Sequence, residues 1–418
     1  MEYHALSAAQ IPAWIATRPA LQPLFAAGES MQVAEVGDGN LNMVFIVRGQ
    51  GSAVVVKQAL PYLRVVGESW PLTRERMRYE TQALHEYGRL VPGRVPVVLD
   101  EEADLSLVVM ELLDGYDMLR HALVARKRFP FLAEHLGTFL ARTLFFTSDL
   151  YLSGEEKKAM QAQYVNADLR RLQEDFVYTN PFAEMEENKW NPAISEAVHA
   201  IRGDWELKLA LAEAKRAYMQ HAEALIHADL HTGSVMVTAT DTRVIDPEFA
   251  FFGPMAYDVA ALVQNLVLNW LSHWAHTPDA DERRAYRRWL TDTIHALWAR
   301  FAETFEALWK DNHRGELVPA RYWAFPGGDD AFAAYRAAYM ARLLQQVALH
   351  GGAKLLRRTM GIVSVWDFTC IADPAVRAVP ERAAIGIGRR WAIEHARMRT
   401  IGDLMDIVEE EAGRVEGA

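Results

Sequence analysis

Cysteine is almost absent. Cys370 is the single thiol in 418 residues, so no disulfide can close within the chain and no cysteine-rich zinc site can form. Such usage fits a reducing compartment. Positive charge is also in short supply: 44 Lys and Arg face 55 Asp and Glu, a formal net charge of -11. A nucleic-acid binder needs a basic face for phosphate backbones, and that class is set aside. A small anionic ligand is not, because a pocket can be locally positive on an acidic protein. No basic region leads into an apolar run after the opening Met-Glu-Tyr-His, so a signal peptide is not expected. Long apolar runs are missing too. The stretch from Met255 to Trp270 is broken by Asp258, Gln264 and Asn265, unlike a membrane span. The expectation is a cytoplasmic protein that engages neither membrane nor nucleic acid.

What the chain does have is core-forming material, 51% hydrophobic against 24% charged residues, in a length that exceeds one ordinary core. Strand signals dominate early: 31–36, 43–47 and 53–58, then 95–99 and 105–113, with a helix predicted over 72–90. Pro96 has no N–H for a ladder, so it belongs at a strand start or on a sheet edge. After Asp114 long amphipathic helices take over: 131–148, 205–220, 257–274, 282–309 and 331–356, interrupted by short β pieces at 234–238 and 243–245. The reading is an α+β, two-lobed chain. Residues 1–112 form a small antiparallel sheet with one helix, and 113–418 form a larger, mostly helical lobe.

The densest chemistry is Ile226-His227-Ala228-Asp229-Leu230-His231-Thr232-Gly233-Ser234, followed by Ile245-Asp246-Pro247-Glu248-Phe249. Phosphoryl transfer leaves a protein little covalent work. It needs one carboxylate to orient and accept a proton from the attacking hydroxyl, and oxygen ligands for Mg²⁺ on the phosphates. Asp229, in a turn flanked by histidines, suits the first role; Asp246 and Glu248, either side of one proline after a strand, suit the second. Each motif alone is commonly a turn. Their order, with room for one β-hairpin between them, is what makes the pair specific.

This segment resembles the catalytic loop of the protein-kinase-like fold, and within it the small-molecule kinases related to choline kinase and the aminoglycoside phosphotransferases. It is most similar to the 5-methylthioribose kinases of methionine salvage, which carry His-Gly-Asp-Leu-His-Thr-Gly-Ser and Asp-x-Glu. The chain departs at Ala228, where the family has glycine, a difference that matters if the position needs a positive φ. Ser234 stands where protein kinases use a metal-binding Asn. It fits the methylthioribose kinase pattern as a weaker Mg²⁺ ligand, with Glu248 supplying the missing oxygen.

The resemblance implies an ATP- and Mg²⁺-dependent transferase, a homodimer, that phosphorylates the anomeric hydroxyl of 5-methylthioribose. It implies the nucleotide-binding role of residues 1–112: Gly37, Gly39 and Asn40 in a phosphate-covering hairpin, Lys57 on the non-transferred phosphates with Glu80 as its partner, and Met110, Glu111 and Leu112 as the adenine hinge. It also implies a substrate side. Arg357 and Arg358 would grip sugar hydroxyls or stabilise the transferring γ-phosphoryl group beside Asp229. Trp70, in the family-like stretch from Val65 to Thr73, would act as a lid or as an anchor before the helix. A kinase of another small alcohol, such as choline, homoserine or an aminoglycoside, is the alternative, and the Arg pair argues against the choline and aminoglycoside readings, whose sites call for aromatic or acidic walls. A nucleotide-binding regulator without activity would lack one of Lys57, Asp229, Asp246 or Glu248, and all four are present.

Overall fold

The computed structural model describes residues 2–26, 28–37, 41–64 and 67–417, so Gly39 and Asn40 of the glycine turn lie outside the described residues, as do Val65 and Val66. The chain divides into two units, Met1–Tyr116 with Asn166–Leu169 and Arg243–Ala250, and Asp117–Val165 with Arg170–Thr242 and Phe251–Ala418.

The first unit is built on one antiparallel sheet. After the short helix α1 (Ile11–Ala16) come β1 (Gln32–Glu35), β2 (Asn42–Arg48) and β3 (Ala53–Ala59), helix α2 (Arg76–Leu90), then β4 (Val98–Glu102) and β5 (Leu107–Glu111). The strands lie in the order β1-β2-β3-β5-β4. Register puts Phe45, Val56 and Val109 side by side, and Val44, Lys57 and Val108 on the next row. Because strand side chains alternate, these two rows face opposite ways. The Phe45–Val56–Val109 face is buried under Ile11, Trp14, Ile15, Leu21 and Phe25, the N-terminal segment whose packing role the sequence reading did not anticipate. Lys57 therefore stands on the other face, where α2 packs.

One expected strand moved. The predicted strand over 95–99 begins instead at Val98 and runs into Asp100-Glu101-Glu102, an unusual acidic edge. Two causes are visible. Pro96 cannot donate to a ladder, and Arg18 satisfies the acids, its Nε 2.6 Å from Asp100 and its Nη1 2.6 Å from Glu102. The predicted helix over 72–90 starts only at Arg76, because Pro71 is held in a β-bridge with Tyr62.

The second unit is mainly helical. It opens with β6 (Asp117–Met118), α3 (Leu119–Val124), α4 (Leu132–Phe146), α5 (Gly154–Gln163), α6 (Ala167–Tyr178, its start up to Leu169 counted with the first unit), α7 (Ser195–Gly203) and α8 (Trp205–Gln220). Four short strands follow along the chain, β7 (Ala224–Ile226), β8 (Val235–Val237), β9 (Thr242–Val244, of which Arg243 and Val244 are counted with the first unit) and β10 (Phe251–Gly253). The remainder is α9 (Met255–His276), α10 (Ala280–Asp311), α11 (Gly328–Met360), α12 (Trp366–Thr369), α13 (Pro374–Glu394) and α14 (Ile401–Glu416). Helix α9 is buried from Met255 through His273, which explains a sequence too apolar for a surface helix. Helices α11 and α13 pack on it. At one end of α9, β7 and β10 pair through Phe251–Ile226 and Gly253–Ala224, and so close the base of the loop that starts at His227. Strands of three residues are too short to show a period, which is why this pair was not foreseen. No helix among the described residues is long and apolar enough to cross a membrane.

Candidate active site

The first unit gathers Lys57, Glu80, Asp246 and Glu248. Helix α2 offers Glu80 to Lys57, whose ammonium donates to Oε1 at 2.9 Å and lies 2.7 Å from Oε2. Asp246 accepts from the same ammonium. It does so from a left-handed backbone, φ 68°, a conformation rarely taken by a residue with a side chain. Glu248, two residues on, is buried; Asn42 Nδ2 donates to its Oε2 at 2.8 Å and Arg76 Nε stands 3.5 Å away. Asn166 fixes the backbone here, its amide donating to the carbonyls of Glu248 at 2.9 Å and Ala250 at 3.1 Å.

One oxygen from each of Glu80, Asp246 and Glu248 falls within 4.8 Å of the others. That is an all-carboxylate donor set of the kind a hard divalent cation takes. Its electrostatics point the same way. Burial works against the Lys57 charge, but Asp246, Glu80 and Glu248 outweigh it and raise the ammonium above its ordinary value. Burial pushes the Glu80 carboxyl up to about 8, with Lys57 opposing. Burial, then the neighbouring Asp246, raises Glu248 as well. Three carboxylates here share two cationic side chains, and a metal ion would relieve the excess.

The other expected residues of this unit are placed as follows. Gly37 sits in a turn where an added Cβ would meet nothing within 4 Å. Met110 and Glu111 end β5; the Glu111 N–H is already donated to the Val97 carbonyl at 2.9 Å, and the Leu112 carbonyl accepts from Asp114 at 2.9 Å. Trp70 is half-buried, its N–H bonded to the Gly67 carbonyl and its carbonyl to the Leu63 N–H.

The second unit gathers Asp229, His231, Ser234, Arg357 and Arg358. Asp258, the lone acid of the apolar stretch on α9, accepts from the N–H of His227 at 2.6 Å and of Ala228 at 2.9 Å, and so pins the loop just ahead of Asp229. The sequence signal for it was that isolation: a buried acid in an apolar helix needs partners. Ala228 takes φ 65°, the left-handed conformation in which glycine is the unstrained residue. His231 Nδ1 accepts from the Gly233 N–H at 3.0 Å, which leaves the ring proton on Nε2, 3.5 Å from Asp229 Oδ2. Burial drives the His231 pKa well below its usual value, so the ring is neutral. The Ser234 hydroxyl donates to the Asp229 carbonyl at 3.0 Å and meets His231 Nδ1 at 3.1 Å. Gly233 has no room for a side chain: a Cβ would come within 2.9 Å of the His231 ring and 3.0 Å of the Arg120 guanidinium.

One cavity brings together Asp229, His231, Gln264, Lys354, Arg357 and Arg358. Lys354 was not singled out from the sequence, although it precedes Arg358 by one helical turn on α11 and so shares its face. Its ammonium lies 3.8 Å from the centroid of the Tyr257 ring, a cation–π contact. Burial lowers its pKa to about 7, against Asp229, which raises it. Burial alone would raise Asp229, yet the His231 Nε2–H directed at it and the cations of Arg358, Lys354 and Arg357 together hold its carboxyl well below the usual carboxylate range. Asp229 is thus charged across the physiological range. It can accept a hydrogen bond from a hydroxyl and take its proton late, as a loose phosphoryl-transfer transition state allows.

Residues 32–304 match the model of the phosphotransferase enzyme family. Over 96% of its length the chain is 39% identical to methylthioribose kinase 1 of Oryza sativa subsp. japonica, covering 94% of that protein. It is 37% identical to the methylthioribose kinase of Escherichia coli O45:K1, over 96% of this chain and 97% of that one, and 35% identical to that of Bacillus pumilus, over 90% of each. The chain belongs to the methylthioribose kinase family. It is a small-molecule kinase, and this family assignment rather than a choline- or aminoglycoside-kinase one sets the expectation for its acceptor. A more distant solved structure, an ethanolamine kinase of Plasmodium vivax, aligns at TM-score 0.43 with 12% identity over 86% of this chain and 84% of its own.

Proposed function

We propose that this methylthioribose kinase family member transfers the γ-phosphoryl group of ATP to the anomeric hydroxyl of 5-methylthioribose. The observation that carries the reading is the set of charges around Asp229: an ionised carboxylate with Lys354, Arg357 and Arg358 on one cavity. Asp229 orients the attacking hydroxyl and receives its proton. Arg357 and Arg358, and Lys354 while it is protonated, stabilise the charge that spreads over the transferred group, where preorganised charge acts most strongly. His231, neutral and aimed at Asp229, holds the carboxylate in place. The nucleotide side falls to the first unit. Lys57 holds the non-transferred phosphates, Glu80 keeps Lys57 in position, and Asp246 and Glu248 bind Mg²⁺, which neutralises phosphate charge when present. The hinge role of Met110, Glu111 and Leu112 and the phosphate-covering role of the glycine turn complete that side. We propose a cytoplasmic homodimer as the working form, which light scattering on the purified protein would test.

The experiment is a panel of 5-methylthioribose, choline, homoserine and an aminoglycoside with ATP and Mg²⁺, scored by ADP release. Turnover is expected only with the methylthio sugar, with the phosphate on C1. Faster turnover of another alcohol overturns the acceptor, and ADP release with none of them overturns sugar phosphorylation.

A further inference from the structure

Three side-chain amides line the cavity that holds Asp229, and two have their oxygens in use. Gln173 Oε1 accepts from the Tyr257 hydroxyl at 2.5 Å, and Asn265 Oδ1 accepts from the Thr232 hydroxyl at 3.2 Å. Gln264 is the exception. Its Nε2 donates to the Ala261 carbonyl at 3.1 Å, which fixes which end of the amide is oxygen. That oxygen is buried, on a residue 2% exposed, and no donor among the described residues reaches it. A buried acceptor without a donor is costly, and the cations on the same cavity act electrostatically on Asp229.

We infer that Gln264 is a specificity residue: its Oε1 accepts a hydrogen bond from a ring hydroxyl of the sugar other than the one that is phosphorylated. This rests on the sugar-kinase reading above. The attacking hydroxyl donates to Asp229, and a second hydroxyl donates to Gln264. A polyol can satisfy both acceptors at once, whereas a mono-alcohol leaves one buried oxygen unpaired. Sites built to bind a hydroxyl reject the analogue that lacks it more strongly than apolar pockets reject an extra group.

The test uses full-length enzyme with 5-methylthioribose and its 2-deoxy and 3-deoxy analogues. Gln264→Met keeps length and removes the acceptor; Gln264→Glu keeps an acceptor. The Met variant should raise KM for 5-methylthioribose about 10- to 100-fold, with KM for ATP unchanged and the Glu variant nearer to wild type. With one of the two deoxy sugars the Met variant should match the wild type, because the hydroxyl it would have bound is gone. Independently of any variant, the wild type should discriminate against that same deoxy sugar by about 10-fold or more. An equal penalty with all three sugars makes the oxygen a buried water site and overturns the inference. So does wild-type indifference to both deoxy sugars. Absence of turnover by the wild type overturns the sugar-kinase reading and this inference with it, whereas turnover without any dependence on Gln264 overturns the inference alone.

Discussion

The two units carry charge clusters of opposite sign. In the first, Glu80, Asp246 and Glu248 crowd together with Lys57 and Arg76, and acid is in excess. In the second, Lys354, Arg357 and Arg358 surround Asp229, the neighbouring His231 is neutral, and cation is in excess. An isolated buried charge is expensive, so each excess is best read as half of an interaction whose other half is a ligand. The acidic cluster fits a divalent cation; the basic one fits a phosphoryl group. The same chain is thus negative overall and locally positive around Asp229, which is why net charge weighed against nucleic acid but not against an anionic ligand.

The sharpest way to break the contrast is Asp229→Ala. It should lower kcat by about 10³-fold or more while ATP binding, measured by calorimetry, stays near wild type, since the proposed contacts to the adenine and the non-transferred phosphates lie in the other unit. Full activity in this variant, or loss of ATP binding along with turnover, would end the division of roles.

A smaller effect, confined to the acidic cluster, is expected from Asn166→Ala. Asn166 touches no proposed phosphate contact; it holds the carbonyls of Glu248 and Ala250 and so aims the carboxylates. Residues in this position typically alter metal affinity about 10- to 100-fold. The Mg²⁺ concentration for half-maximal rate should therefore rise by roughly tenfold, with KM for the sugar unmoved. A change in KM for the sugar of the same size would place Asn166 elsewhere in the mechanism.

Lys354→Met tests the basic cluster through stability as well as rate. The lysine is buried against Tyr257 and faces Asp229, His231, Arg357, Arg358 and Asp258. With its pKa held at about 7, it is charged in both folded and unfolded chains below pH 7, and the full burial penalty is present there. Between pH 7 and its ordinary pKa near 10.4, only the unfolded chain keeps the proton, so native stability rises with pH. Removing the charge should thus raise Tm by about 2 °C or more at pH 6, less at pH 9, while kcat falls by roughly tenfold. A lowered Tm at pH 6 would show that the ammonium is satisfied within the fold and is not waiting for an anion.

How much of this was legible in the sequence follows the range of the interactions. The loop around Asp229 and the Asp-Pro-Glu triplet stood out in the sequence because both are local: titratable side chains are concentrated in a few consecutive residues. The long helices were readable from period, and 205–220 was placed to the residue, where Asp204 caps it by accepting from the Leu207 N–H at 3.0 Å. Contacts across long sequence separations were not. Nothing about Arg18 announces the acids at 100 and 102, and nothing about residues 11–25 announces that they cover a sheet. Lys354 stood beside the Arg pair in the sequence and was passed over, because a lysine on a helix is ordinarily solvated; only packing against α9 and Tyr257 makes it part of the site.

The mildest perturbation, Ala228→Gly, bears on why the basic cluster is so firmly held. The left-handed backbone at this position costs an L-residue roughly 1–2 kcal/mol, and glycine removes that cost. Glycine also adds backbone freedom to the unfolded chain, worth about 0.4–1 kcal/mol in the other direction. The two partly cancel, so stability should change by roughly 0 to 1.6 kcal/mol, in the stabilising direction. Activity should stay within about twofold, because the conformation is imposed from outside by Asp258, which accepts from the N–H groups of both His227 and Ala228. The contrasting variant is Asp258→Asn, which keeps the size but has one oxygen where two accept, so one of the two bonds is lost and the other loses its charge. If Ala228→Gly lowered kcat as far as Asp258→Asn does, the loop would owe its shape to the alanine methyl group packed in the core and not to the carboxylate beneath it.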